Sequence, residues 1–345
     1  MKTRRQQDEL IDYFESSYIN DSGFPIDLRG RPYLIDIYTK RYPSIVLACS
    51  RQAGKSTYIG ININYEAQLR KNNSLLYTSL TEKHVDEFRR SKLLPLFSST
   101  LGSKSEMNSS IVLNNKNMIE LSNGSHIGLR AIGDSPDSTL GITARKIYFD
   151  EVQSLYPGNI AMALECSSSF GNDSEYVYCG TPNSFLDPLW DRYEKSSKHE
   201  WIVTCLSCHT EMAPLGIENL DKSKPYLFCL ECGKEVSPMN GRWQSTNPES
   251  TLPGYRINRL MIPNAPWRNP QGSGILDRYE DYTPHDFKNY VLALPSETGE
   301  FALSRKEVLA CCEDYDFLDI NDPKTWHFGE HLCMSVDWAD NQEEG

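Results

Sequence analysis

Apolar positions along the chain gather in short β-branched or aromatic runs, each ending abruptly in polar residues. Ser44–Ala48 (SIVLA) is the first such run and reads as a buried strand. Beyond the polar stretch that follows it, Ile59 and Ile63 lie four apart, as do Ile61, Tyr65 and Leu69. That spacing predicts a helix ending near the Asn72-Asn73 pair. Ile147, Tyr148 and Phe149 form a second buried-strand run, which stops at Asp150-Glu151. Tyr176–Cys179 forms a third and breaks into Gly180-Thr181-Pro182-Asn183. Strand runs mixed with helical spacing predict an α/β fold.

Chemistry sits at the ends of these runs. The residues ACSRQAGKST, Ala48–Thr57, end like the phosphate-binding pattern G-x-x-x-x-G-K-[ST], but Cys49 stands where its first glycine belongs. A strand before and a helix after would place a phosphate at a helix N-terminus, against the positive end of its dipole. Cys49, Ser50, Arg51, Gln52, Ala53, Gly54, Lys55, Ser56 and Thr57 are therefore candidate nucleotide contacts. Paired acids at a strand end are costly to bury without a cation or hydrogen-bond partners. In an open α/β sheet that edge is also where ligands sit. Asp150 is expected to hold Mg²⁺, and Glu151 to orient and deprotonate an attacking water. Past the third run, a hydroxyl and an amide are placed to sense the γ-phosphate or that water, although Gly, Pro and Asn equally make an ordinary turn.

At 345 residues the chain is long enough for a sizeable core and more than one unit. Apolar residues make up 39% of it, and its mean hydropathy of −0.52 fits a soluble protein. No 18-residue apolar run is present, and MKTRRQQDEL lacks a signal-peptide core, so no membrane partner is expected. A net charge of −12 argues against a protein that coats DNA uniformly; DNA contact would be local, on patches such as Phe88–Lys92 (FRRSK), which also reads as a solvated helix face. Ten cysteines without a secretory signal point to metal or free thiols. Cys205 and Cys208 form one C-x-x-C pair and Cys229 and Cys232 another, with twenty residues between. Two such knuckles close a tetrahedral, structural Zn²⁺ site with no open position for catalysis. His209 falls outside that set, and Cys49, Cys166, Cys179, Cys311, Cys312 and Cys333 lack ligand spacing and read as small buried hydrophobes.

Taken together, SRQAGKST, IYFDEV and YCGTPN resemble, in that order, the ATPase of the large terminase subunits of tailed bacteriophages and related viruses. That family's loop often lacks the first glycine. The resemblance implies an α/β P-loop NTPase of the ASCE type, a mainly parallel sheet flanked by helices, with a zinc-ribbon insert and a small lid or linker subdomain. It implies that Lys55 contacts the β- and γ-phosphates, that Ser56 and Asp150 ligate Mg²⁺, and that Glu151 is the catalytic carboxylate. Arg51 matches the loop arginine, and Gly180, Thr181 and Pro182 match the motif coupling hydrolysis to movement. Leu75–Arg90 resembles the strand and helix placed after the first unit. Leu28–Tyr38 resembles the adenine-recognition segment with Leu34 at the usual glutamine position, leaving Arg31 and Tyr33 as stacking candidates. In place of the Arg-Gly pair of many relatives the chain has Leu140-Gly141, so Arg130 and Arg145 are the candidates for an arginine finger, or else are structural.

The implied division is 1–197 ATPase core, 198–245 zinc ribbon, 246–328 lid or linker, and 329–345 the first strand of an RNase H-like nuclease that stops short. Asp337 ends that strand as the leading nuclease metal ligand, which would cut DNA only in a longer chain carrying further carboxylates. The implied cofactors are ATP, Mg²⁺ and structural Zn²⁺. The implied partners are double-stranded DNA, the small terminase subunit and the portal protein, met as a homo-oligomeric ring in the host cytoplasm and transiently on the procapsid. Two other readings share these residues: another P-loop helicase or translocase, and a zinc-ribbon nucleic-acid adaptor with a vestigial ATP site. The intact Lys55, Ser56, Asp150 and Glu151 set speaks against the adaptor, and the loop and the Asp337 strand against the helicase.

Overall fold

Each apolar run becomes a strand of one twisted sheet. The computed structural model describes residues 4–20, 23–98, 110–212, 214–263 and 265–297; Asp337, Cys311, Cys312, Cys333 and the expected nuclease strand lie outside them. The strands are β1 (Ser44–Cys49), β2 (Ser74–Ser79), β3 (Ile111–Asn114), β4 (Met118–Leu121), β5 (His126–Ala131), β6 (Lys146–Phe149) and β7 (Glu175–Gly180). After them come β8 (His199–Thr204), β9 (Glu211–Met212), β10 (Leu227–Phe228), β11 (Glu235–Val236), β12 (Gly241–Ser245) and β13 (Gly254–Ile257). The sheet runs β12-β8-β13-β1-β7-β6-β2-β5-β4-β3, with β9 on β8, while β10 and β11 pair apart from it. From β8 to β5 all neighbours are parallel. The antiparallel additions are at the flanks.

Parallel strands carry helices on both faces and so are buried on both, which is why they read as continuous apolar runs. β2, β6 and β13 are buried along their whole length. The register aligns Ala48 with Gly180, and Phe149 with both Tyr178 and Thr78. The loop after β1, the acids after β6 and the turn after β7 therefore leave the sheet at one edge.

The helices are α1 (Arg4–Ser17), α2 (Pro32–Thr39), α3 (Lys55–Leu69), α4 (Glu82–Phe88), α5 (Leu94–Ser98), α6 (Pro157–Leu164), α7 (Pro188–Lys195), α8 (Ile275–Asp281) and α9 (Pro284–Tyr290). A π-helical turn, Arg89–Leu93, joins α4 to α5. α3 stops at Leu69, short of the expected Asn72-Asn73 pair; Arg70 is already extended, and Asn72, at φ +54°, turns the chain into β2. α3 is buried nearly all round and takes Glu66 into the interior at 2% exposure. Three cations compensate that charge: Arg41 at 2.9 Å, Arg145 at 3.2 Å and Lys146 at 3.7 Å. Glu175 completes the cluster against Arg145 (2.6 Å) and Lys146 (3.2 Å). The cluster gathers at the starts of β6 and β7, the end of the sheet away from the loop.

Two expected boundaries shift. β8 and β12 lie in the main sheet, so the cysteine-bearing insert falls between them, within residues 205–240, with β9 still paired to β8. The expected lid at 246–328 opens instead with β13, which inserts between β8 and β1. The described helices of that segment return to the strand ends: the N–H of Arg51, after β1, donates to the carbonyl of Tyr290, and that of Arg259, after β13, to the carbonyl of Val291.

Candidate active site

β1 ends at Cys49, an ordinary extended residue without positive φ. The missing first glycine thus costs nothing here. Gly54 differs: its φ of +84° is the left-handed conformation that starts α3, which favours glycine over any side chain. Gln52 adopts φ +59°, and its Oε1 accepts from Arg259 Nη1 at 3.1 Å. Arg51 places its guanidinium over the Tyr290 ring, 3.8 Å from the centroid.

Lys55 Nζ joins the three sequence elements. It donates to Glu151 Oε1 at 3.2 Å and to Thr181 Oγ1 at 2.8 Å. Asp150 is 5% exposed; its Oδ2 accepts from Tyr77 OH at 2.9 Å and its Oδ1 from the Glu151 N–H at 3.0 Å. No lysine or arginine among the described residues forms an ion pair with Asp150. Burial, reinforced by the Glu151 charge, pushes its carboxyl up to about 6. Burial would raise Glu151 as well, but Lys55 and the hydrogen bonds from Gln153 and Lys55 hold it below the usual carboxylate range. Burial would lower Lys55, yet the charges of Glu151 and Asp150 raise it. An ammonium and two unequal carboxylates thus face one cleft of about 640 Å³.

A second cavity of about 450 Å³ shares Gln52, Lys55, Ser56 and Lys92 with the cleft and extends past Gly54 and Thr57 to Ile26, Leu34, Tyr38 and Arg31. Of the two stacking candidates, Arg31 lines it. Tyr33 does not: it is 1% exposed and packs edge-on against Trp201. Tyr38, on the same helix, is the aromatic residue at the cavity, which the sequence reading passed over.

Neither finger candidate has a free guanidinium. Arg145 is 6% exposed and spends its nitrogens on Asn73, Glu175 and Glu66. Arg130 donates to the carbonyls of Ser138, Asn117 and Leu129. The Phe88–Lys92 patch is not one basic face. Phe88 stacks on Tyr77 at 3.9 Å, Arg89 and Arg90 both pair with Asp86, and Lys92 lines both cavities.

In the insert the four cysteine sulfurs lie within 4.8 Å of one another. Cys205 is 3.7 Å from Cys232, and Cys208 is 3.6 Å from Cys229. Tetrahedral Zn–S bonds of ~2.3 Å require S···S edges of ~3.8 Å, so the donor set fits. The knuckles match in backbone as well: His209 (φ +59°) and Gly233 (φ +68°) occupy the same position four residues after the leading cysteine. Their N–H groups donate back to Cys205 and Cys229.

Gln153 and Tyr77, which both hold the acids, were not found from the sequence. Tyr77 reads there as one more buried strand residue, and nothing shows that the chain turns back after Glu151 (φ +53°) to present Gln153.

A family model described as the ATPase domain of the phage terminase large subunit gpA matches residues 26–247. Among solved structures, the ATPase domain of the Thermus phage P74-26 large terminase is 13% identical over 83% of this chain and 97% of that one, with a TM-score of 0.49. A large terminase from a thermophilic bacteriophage, solved in complex with ATP-γ-S, is 14% identical over 78% and 53%, with a TM-score of 0.45. The HK97 bacteriophage large terminase is 16% identical over 56% and 42%, also at 0.45. No curated protein matches the sequence.

Proposed function

Because the chain belongs to the family of phage terminase large subunit gpA ATPase domains, the motors of DNA packaging, we propose that its 640 Å³ cleft hydrolyses ATP to drive double-stranded DNA into a procapsid. The observation that carries the site assignment is the Lys55 ammonium, which touches Glu151 and Thr181 together. In the free protein that contact satisfies both charges. A triphosphate entering over residues 49–57 meets the loop N–H groups and draws Lys55 onto its β- and γ-oxygens. Glu151 is then released to take a proton from water as the new O–P bond forms and the β–γ bridge breaks. The adenine lies in the 450 Å³ cavity against Arg31, Leu34 and Tyr38.

Ser56 and Asp150 would hold Mg²⁺, whose hard oxygen chemistry suits a hydroxyl and a buried carboxylate lacking an ion-pair partner. When bound, that ion neutralises phosphate charge. Cys205, Cys208, Cys229 and Cys232 would hold one structural Zn²⁺. Arg51 and Thr181 are assigned to γ-phosphate contact and coupling. The same reading extends to a ring of copies on the portal, a small terminase subunit as partner, and action in the host cytoplasm and transiently on the procapsid. Asp337, which lies outside the described residues, is assigned to a nuclease metal site.

Glu151→Gln tests the assignment. It keeps shape but removes the base, so ATP should bind while turnover collapses by about 100-fold or more. Lys55→Ala should instead weaken binding. Wild-type turnover in Glu151→Gln would remove the catalytic role from this carboxylate.

A further inference from the structure

We propose that Gln153 is a positioning residue that fixes the Glu151 carboxylate to the turn after β7, so that base and coupling turn move as one body. The proposal rests on the reading of Glu151 given above and deepens it. Gln153 Nε2 donates to Glu151 Oε2 at 2.6 Å, and Gln153 Oε1 accepts from the Thr181 N–H at 3.2 Å. A carboxamide offers a donor to an anion at one end and an acceptor to a peptide N–H at the other, without carrying a charge of its own. Its orientation is unambiguous, because the flipped amide would set N–H against N–H and oxygen against carboxylate.

Two features of the backbone are built around this contact. Glu151 sits at φ +53°, a conformation uncommon for a residue with a side chain, and this reverses the chain into the short turn Val152–Ser154 that returns Gln153 over the acid. Gly180 leaves the space that the amide occupies: a Cβ there would lie 2.2 Å from Gln153 Oε1, with Leu189 Cδ2 at 3.0 Å and the Val152 nitrogen at 3.2 Å as the next contacts. The glycine of the turn thus has a steric reason that is independent of its own φ.

The two oxygens of Glu151 are divided between two partners. Oε1 faces Lys55 and Oε2 faces Gln153. When phosphate draws Lys55 away, Oε1 is uncovered for water while Gln153 keeps the carboxylate aimed. Any shift of the Thr181 backbone is carried through the same amide to the base. Gln153 therefore acts on turnover and not on nucleotide affinity.

The test measures steady-state ATPase and fluorescent-ATP binding for Gln153→Met, Gln153→Glu, Gly180→Ala and the Gly180→Ala/Gln153→Met double variant, each checked for folding by thermal melt. Gln153→Met should lower kcat by roughly 10- to 100-fold, the loss typical of an outer partner that orients a metal ligand, taken over here for the base. KM and binding should stay within about 3-fold, the signature of an interaction outside ground-state binding. Gln153→Glu keeps the Thr181 contact but sets a like charge against the base, and should be at least as slow. Gly180→Ala should reproduce the loss by displacing the amide, and the double variant should be no worse than the poorer single one. Full kcat in Gln153→Met or Gln153→Glu, additive losses, or weaker binding at unchanged kcat would each overturn the proposal. Glu151→Gln measured alongside separates the two readings: an active Glu151→Gln removes the base itself, whereas an inactive one beside active Gln153 variants removes only the positioning role.

Discussion

Replacing Arg145 with methionine separates a buried structural cation from one that serves a neighbouring subunit. The Arg145 side chain is 8% exposed. It donates to Asn73 Oδ1 at 2.8 Å, Glu175 Oε1 at 2.6 Å and Glu66 Oε2 at 3.2 Å. Breaking a buried pair typically costs ~3–5 kcal/mol, most of it the penalty of an orphaned charge. Here Glu66 keeps Arg41 and Lys146, and Glu175 keeps Lys146, so neither acid is stranded. The low end, about 3 kcal/mol, is therefore expected. For a unit of nearly 300 residues that lowers Tm by roughly 5 °C. Thermal melts should show the drop, while ATPase measured well below both transitions should change little per folded molecule. Mixing Arg145→Met with Lys55→Ala subunits should add no activity beyond that of the Arg145→Met subunits alone, because a guanidinium facing Glu66 and Glu175 in its own chain is not offered to another. An unchanged Tm together with activity restored on mixing would refute this and make Arg145 a trans-acting residue.

Cys229→Ser should lower bound zinc well below the about one ion per chain that a single Cys₄ site holds, with fluorescent-ATP affinity retained; a metal-free wild type prepared without chelator would contradict the donor set. Arg31→Ala should weaken nucleotide binding with little change in kcat, and unaltered affinity would remove Arg31 from the 450 Å³ cavity's function. Burial alone would raise the Glu66 carboxyl, but Lys146, Arg41 and Arg145 hold it below its ordinary 4.5. Its contribution is thus complete above about pH 4.5 and lost as pH falls through the lower folded value, so acid should depress Tm more steeply in wild type than in Glu66→Gln. Equal slopes would show that Glu66 is not the group that titrates.

What the sequence revealed was whatever burial writes as a continuous apolar run or whatever chemistry writes as a fixed spacing. β1, β6 and β7 were visible because both faces are covered, and the cysteine knuckles because metal geometry fixes their intervals. β13 was hidden for a physical reason. Its four residues include Gly254 and Arg256, and Arg256 is buried only because Glu200 meets its Nε at 2.6 Å and the Leu292 carbonyl its Nη1, also at 2.6 Å. A central strand with a compensated arginine breaks the apolar pattern, so the segment read as a lid. The choice between Tyr33 and Tyr38 depended on which face of α2 meets the cavity, and spacing alone does not orient so short a helix. Arg145 followed the same logic as Arg256: a cation surrounded by acids from α3 and β7 looks, in one dimension, like any surface arginine.

β7 lies between the strand that carries the phosphate loop and the strand that carries the acids. Two strand spacings, about 9.6 Å, therefore separate the two halves of the chemistry. Side chains from either side close that gap, with Lys55 and Glu151 meeting at 3.2 Å. The gap itself is gauged by peptide hydrogen bonds, which are the same whatever residues the strands carry. Inheritance can then work on the two regions at different rates. The interiors of β1, β6 and β7 are free to drift among apolar residues of similar bulk without altering that span, while the contact across it depends on Lys55 and Glu151. Two lineages of such a machine can come to share almost no strand residues and still hold a lysine and a glutamate across the same span.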